Sequence, residues 1–241
     1  GRLPPPAPRG RGGPARAGFP RGAGPPAPPP LPPLYPVNLV LAGRPCLVVG
    51  GGPVAAQKVS GLLEADADVH VVAPRLGDAL ASRAAAGEIT WDRRPYRPGE
   101  VVGYRLVITA TDDPETNALV HRDGEAHGVW VNSADDPANC AFTLPSRVRR
   151  GPILATFSTG GRSPALATWM RRRYEAELGP EYLDLLDVLA EARAEVRRGG
   201  RSTEGLDWQS ALDSGMLDLI REGRLAEAKE RLEACLSSSS D

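Results

Sequence analysis

A strand that runs into three consecutive glycines and then into a helix leaves a chain few folds to adopt. Cys46-Leu47-Val48-Val49 is a short continuous apolar run closed by Gly50-Gly51-Gly52, after which Val54, Ala55, Val59, Leu62 and Leu63 recur on one helical face. A strand without polar alternation is buried on both sides, as in a parallel sheet covered by helices. The same rhythm continues: strands are expected at 69–72, 89–91, 106–110 and 129–131, with helices at 76–86 and 114–126. Strands alternating with helices at this spacing make an α/β fold, a Rossmann-type doubly wound parallel sheet.

The rhythm breaks after Asp136. Residues 141–148 and 153–158 read as strands of a hairpin joined through Arg149-Arg150-Gly151-Pro152, and Ser163-Pro164 is a helix start, with a capping hydroxyl followed by a proline at the first helical position. Helices are expected at 180–198, 204–222 and 224–236, interrupted by Gly199-Gly200. The expected organisation is a disordered Pro/Arg/Gly-rich tail (1–33), a Rossmann domain (34–140), a small region of strands plus helix (141–178), a helical C-terminal domain (179–236) and a frayed end (237–241).

Composition removes several function classes. No apolar run approaches the roughly 18 residues of a membrane span, so no membrane partner is expected. A formal charge of −1 argues against a dedicated nucleic-acid binder. The three cysteines, at 46, 140 and 235, form neither a disulfide framework nor a zinc spacing, which points to a reduced, cytoplasmic protein without a metal site. His121 and His127, on or near the helix at 114–126, are expected to be solvated.

Gly50-Gly51-Gly52-Pro53-Val54-Ala55 fits G-x-G-x-x-A between a strand and a helix, the context in which backbone and helix N-terminus accept a pyrophosphate. Gly50, Gly51, Gly52, Pro53 and Val54 are therefore candidate cofactor contacts. The acid that holds ribose hydroxyls at the end of a second strand is missing; Ala73-Pro74-Arg75 stands there, which makes Pro74 and Arg75 candidates and keeps both NAD and NADP open. Thr111 and Asp112 leave the carboxyl end of the fourth strand toward the same cleft, although Asp112 or Asp113 serves equally as the cap of the helix begun by Pro114. Asp135 and Asp136 follow the fifth strand, where a carboxylate either manages a proton beside a nicotinamide or makes an Asx turn before Pro137.

From Pro137 to Tyr174 there is no acid, but there are arginines at 147, 149, 150, 162, 171, 172 and 173. They make either a basic face balanced by acids elsewhere or a site for a polycarboxylate, which guanidinium forks bind in bidentate fashion. Thr159-Gly160-Gly161-Arg162-Ser163-Pro164 adds a second glycine turn before a helix. Arg147, Arg149, Arg162, Thr159 and Gly160 are the candidate substrate contacts.

Four segments, taken together, resemble the precorrin-2 dehydrogenase family, the N-terminal module of siroheme synthases: residues 47–55 with Lys58; Ala110-Thr111-Asp112-Asp113 with Asn117; Val131-Asn132-Ser133-Ala134-Asp135; and 158–164. The resemblance covers about residues 35–225. It implies NAD-dependent oxidation of precorrin-2 to sirohydrochlorin, with Fe2+ as the substrate of a ferrochelatase step in some members. It implies that Asp135 is the acid/base and that Pro53, Val54, Pro74 and Arg75 lie at the cofactor. It also implies a homodimer formed through the region after the Rossmann domain. Thr159 stands where some members have a modifiable serine. A C-terminal methyltransferase domain is not expected in this polypeptide. Two further readings stand beside the dehydrogenase: a bifunctional dehydrogenase/ferrochelatase, and a non-catalytic NAD-sensing module.

Overall fold

A computed structural model describes residues 33–134 and 136–238; the tail over 1–32, Asp135 and residues 239–241 lie outside the described residues. Five strands, β1 (Pro45–Val49), β2 (Asp68–Val72), β3 (Thr90–Asp92), β4 (Leu106–Thr109) and β5 (Trp130–Ser133), form one parallel sheet in the order β3-β2-β1-β4-β5. Helices α1 (Pro53–Leu63), α2 (Asp78–Ala85) and α3 (Pro114–His127) alternate with them. The Rossmann-type fold expected from the pattern is the fold observed. The order reverses between β1 and β4, and sheets of this kind open a ligand crevice at the carboxyl ends of the strands that flank such a reversal.

The two-residue period of β1 explains the layers. Cys46 and Val48 point into the cluster that holds Ala55, Val59 and Leu62 of α1 and Leu80 of α2. Leu47 and Val49 point the other way, into a cluster with Val107, Val120 of α3 and Val131. Burying one such side chain contributes roughly 1.5–3 kcal/mol, so a strand apolar on both faces is stable only with helices on both sides.

The fifth strand runs further than its apolar residues suggest, to Asn132 and Ser133. Both are buried, and both are satisfied: Thr109 Oγ1 donates to Ser133 Oγ at 3.0 Å, and Asn132 Nδ2 donates to the carbonyl of Phe142 at 2.8 Å. Polar residues continue a buried strand when partners of this kind exist.

The hairpin pairs β6 (Ser146–Arg150) with β7 (Ile153–Phe157), Arg150 opposite Ile153. Its turn is only Gly151-Pro152, so Arg149 and Arg150 belong to the strand rather than to the expected turn. The strand expected from residue 141 begins at Ser146, because Ala141 is used elsewhere: its N–H donates to Val131 O at 2.7 Å, and Cys140 bridges to Asn132. Pro145, which has no N–H to give, closes that excursion.

The elements that follow the hairpin are helical, as expected in kind. Ser163 caps α4 (Pro164–Glu177) by accepting from the Leu166 N–H, and α5 (Glu181–Arg198) follows. The helix expected over 204–222 is two short ones, α6 (Trp208–Asp213) and α7 (Met216–Arg221). Gly215 between them has φ +88°, a left-handed conformation that breaks the helix. α8 (Leu225–Ser238) extends through two residues of the stretch expected to fray. Leu185, Val188, Met216, Leu219, Ile220 and Leu232 give these helices a core of their own.

Candidate functional site at the carboxyl edge of the sheet

The three glycines do different work. A Cβ on Gly50 would lie 2.3 Å from Ala110 O, and one on Gly51 would lie 2.0 Å from Arg75 O. Gly50, at φ +129°, also sits where side-chain residues are strained. These two glycines let the loops after β2 and β4 close against the turn, a packing fixed by Gly50 N–H to Val72 O (3.0 Å) and Gly77 N–H to Gly51 O (2.8 Å). Gly52 differs: nothing lies within 4 Å of its Cβ position, and it precedes α1 without any side-chain cap. The first turn of α1 carries no acid and begins with Pro53. Its free N–H groups and the positive end of the helix dipole thus open onto empty space beside exposed Val54, an arrangement suited to a pyrophosphate.

The neighbouring loops complete the edge. Pro74 and Arg75 are exposed after β2, with no acid between Val72 and Gly77. Asp92, one strand over, is engaged at 2.6 Å by Arg94, whose hydrogen bond holds that carboxyl below its usual range. After β4, Asp113 caps α3, accepting from the Glu115 N–H (3.0 Å) and the Thr116 hydroxyl (2.5 Å). Those two bonds, the hydroxyl's first, lower its pKa. Capping is therefore Asp113's work, and Asp112 is left as the exposed carboxylate of this loop. Asn117, buried in α3, holds Thr111 through both its hydroxyl (2.9 Å) and its carbonyl (3.1 Å).

The turn after β5 is knotted around Cys140. The Ser133 N–H and Asn132 Nδ2 donate to its sulfur at 3.3 and 3.4 Å. Its S–H is within reach of the carbonyls of Ser133 (3.3 Å) and Asp136 (3.2 Å). Burial pushes the thiol's pKa up; the Ser133 N–H opposes this, Asp136 adds to it, and the Lys58 ammonium opposes it. Ala134 N–H donates to Thr109 O at 2.8 Å, and Asn139 Nδ2 donates to Asp136 Oδ2 at 2.6 Å. Asp135, between these two anchored neighbours, lies outside the described residues. Counting cysteines by spacing gave no hint of Cys140; its closeness to Asn132 in sequence, just beyond the acidic turn, was the available signal.

The arginines divide. Arg147 is paired with Glu64 of α1 at 2.7 Å and lies against Gly61. Arg150 donates to the carbonyl of Leu178 (3.0 Å), Arg171 pairs with Glu175 (2.5 Å), and Arg173 stacks over the Trp169 ring at 5.8 Å. Arg149 and Arg162 are exposed with no side-chain partner among the described residues. In the second glycine turn the Thr159 hydroxyl is internal, bonded to the N–H and carbonyl of Ser163 (both 3.1 Å), while Gly160 takes φ +59°. His121 is not solvated as expected: its Nδ1 is buried and has no hydrogen-bond partner among the described residues.

A family model described as NAD(P)-binding matches residues 37–146. The siroheme synthase of Nitrosococcus oceani is 38% identical over 203 residues, 83% of this chain and 43% of that protein. That of Methylobacillus flagellatus is 37% identical over 206 residues, 84% of this chain and 44% of that protein. The solved structure of SirC, a precorrin-2 dehydrogenase, superposes with a TM-score of 0.66 at 25% identity, over 83% of this chain and all of SirC. The chain is similar to siroheme synthases over most of its own length and shares the fold of a precorrin-2 dehydrogenase. It spans less than half the length of the curated siroheme synthases it matches. The match to an NAD(P)-binding model gives the open glycine turn a ligand class, a nicotinamide dinucleotide, and the space over Gly52 fits that group. No described helix is long and apolar enough to cross a membrane.

Proposed function

We propose that this chain oxidises precorrin-2 to sirohydrochlorin with NAD as the hydride acceptor. The observation that carries the reading is the uncapped start of α1, open above Gly52 and flanked by the turns after β2 and β4. A bound dinucleotide would supply a nicotinamide ring that accepts hydride.

The chain's own residues do the rest. Backbone at Gly50, Gly51 and Gly52, with Pro53 and Val54, holds the pyrophosphate. Pro74 and Arg75 flank the adenosine ribose; without a carboxylate there, Arg75 leaves room for a 2′-phosphate, and the choice of NAD over NADP rests on the family. Thr111 and Asp112 line the nicotinamide end. Arg147, Arg149 and Arg162, with Thr159 and Gly160, receive substrate carboxylates. Asp135 takes the proton released as the ring carbon loses hydride, so the substrate gives up two electrons and two hydrogens, one as hydride and one as a proton. The turn held by Cys140 supports that residue. The protein works as a homodimer joined through the β6–β7 hairpin and α4, and in the cytoplasm. The domain limits proposed are those given by the sequence: 34–140, 141–178 and 179–236.

An anaerobic assay with fresh precorrin-2, NAD and, in parallel, NADP tests this. Equal yields of reduced cofactor and sirohydrochlorin are expected with the wild-type chain, and none with Asp135→Ala at undiminished NAD binding. Folded protein that binds NAD but forms no sirohydrochlorin overturns the reading in favour of a sensing module. Adding Fe2+ to the product mixture tests ferrochelation through the appearance of siroheme.

A further inference from the structure

The chain has two lysines, and the fold treats them differently. Lys229 is paired with Glu191 at 2.6 Å. Lys58, half-buried in the middle of α1, has no ion pair or hydrogen bond among the described residues. Ala55, Val59 and Leu62 turn one stripe of α1 into the sheet, and Lys58 lies beside that stripe. The segment that leaves the β5 turn runs along this flank: Phe142 packs against the cluster that holds Ala55, Val59 and Leu62, and Arg147 lies against Gly61, one turn beyond Lys58. Lys58 thus lies on the helix between the open glycine turn and the Arg147–Glu64 pair, near enough to Cys140 for its charge to act on the thiol.

A half-dehydrated ammonium with no ion pair among the described residues is costly unless an anion arrives to meet it. Its neighbour Arg147 already has Glu64. Lys58 is about 7.5 Å down the helix axis from Pro53, at 1.5 Å per residue, and so is set back from the N–H groups that face a pyrophosphate.

We propose that Lys58 holds a carboxylate of the substrate beside the β5 turn, as a binding residue for polycarboxylate ligands. The proposal rests on the tetrapyrrole reading above. It adds a cation from the cofactor domain itself.

The test uses the full chain with Lys58→Met and Lys58→Arg. Sirohydrochlorin binding is followed by fluorescence quenching, precorrin-2 KM and kcat by turnover, and NAD affinity and Tm separately. Lys58→Met is expected to weaken sirohydrochlorin binding and raise KM about tenfold, the effect of losing one charged hydrogen bond. The kcat, NAD affinity and Tm should stay near wild type, and Lys58→Arg should recover most of the binding. Unchanged ligand affinity in Lys58→Met overturns the proposal. So does a loss confined to NAD, or an equal loss in Lys58→Arg and Lys58→Met. If wild-type protein binds sirohydrochlorin through Lys58 yet oxidises no precorrin-2, the carboxylate site stands and the dehydrogenase reading falls. If wild-type protein binds no sirohydrochlorin, both fall.

Discussion

Arg147 reaches from the β6–β7 hairpin to α1 and meets Glu64 with Nη2 2.7 Å from the carboxylate. The pair ties the hairpin to the Rossmann sheet across 83 residues of sequence. Both side chains are about half exposed, so the pair contributes little to stability, at most about 1 kcal/mol after solvent screening. Arg147→Ala should therefore leave the urea midpoint almost unmoved while raising the KM for precorrin-2. A large loss of stability with an unchanged KM would make Arg147 a structural residue only.

The glycines should separate folding from cofactor binding. Gly51→Ala puts a methyl group 2.0 Å from Arg75 O, so backbone must move, at a cost of about 1–3 kcal/mol. Gly52→Ala meets nothing within 4 Å and keeps an extended φ of −85°. It should fold with a Tm close to wild type and yet bind NAD weakly, because its methyl group occupies the space over the helix start. Calorimetric titration with NAD beside thermal melts would show the contrast; full NAD affinity in Gly52→Ala would remove the pyrophosphate from this position.

Asp113 should make the start of α3 sensitive to acid. Its folded pKa lies below the unfolded value of about 3.9, so its capping contribution is fully present above that value. The contribution fades as pH falls through the depressed folded pKa. Asp113→Ala should lower Tm at pH 7, and the gap to wild type should narrow in strong acid. Asp113→Asn keeps an acceptor for the Glu115 N–H and should recover much of the cap without that pH dependence. Melts from pH 7 down to pH 2 would test the sign.

Cys140 should prove to be a positioning residue for the β5 turn. Cys140→Ala removes the acceptor for the Ser133 N–H and the donor toward Asp136 O. Hydrogen exchange across 132–140 should quicken and kcat should fall about tenfold or more, since small displacements of a catalytic group are costly. Cys140→Ser, which retains a donor and an acceptor, should restore both in part. Cys46 serves as an internal control: its thiol is buried and pushed up to about 11, so it should resist alkylation at pH 8.

Much of this architecture was legible before any coordinates. The alternation of apolar runs and helical faces from Cys46 to Val131 is local chemistry repeated, and it specifies a parallel sheet with helices on both sides. Ser163 and Pro164 start α4, and Asp113 and Pro114 start α3, because caps act on N–H groups two or three residues away. The missed breaks are instructive. Gly215 was hidden inside a plausible helical period, and the polar end of β5 contradicted its apolar start.

The sequence by itself determined the fold class, the glycine turn and the helix starts, since each depends on periodicity or on contacts within a few residues. Tertiary structure alone decided which charges are paired within the fold. Glu64 pairs with Arg147, Glu175 with Arg171 and Glu191 with Lys229, while Lys58 has no carboxylate partner among the described residues. It also made a lone cysteine the centre of the acidic turn. Ion pairs and buried sulfur contacts join elements that only the closed sheet brings together, so no pattern along the chain carries them.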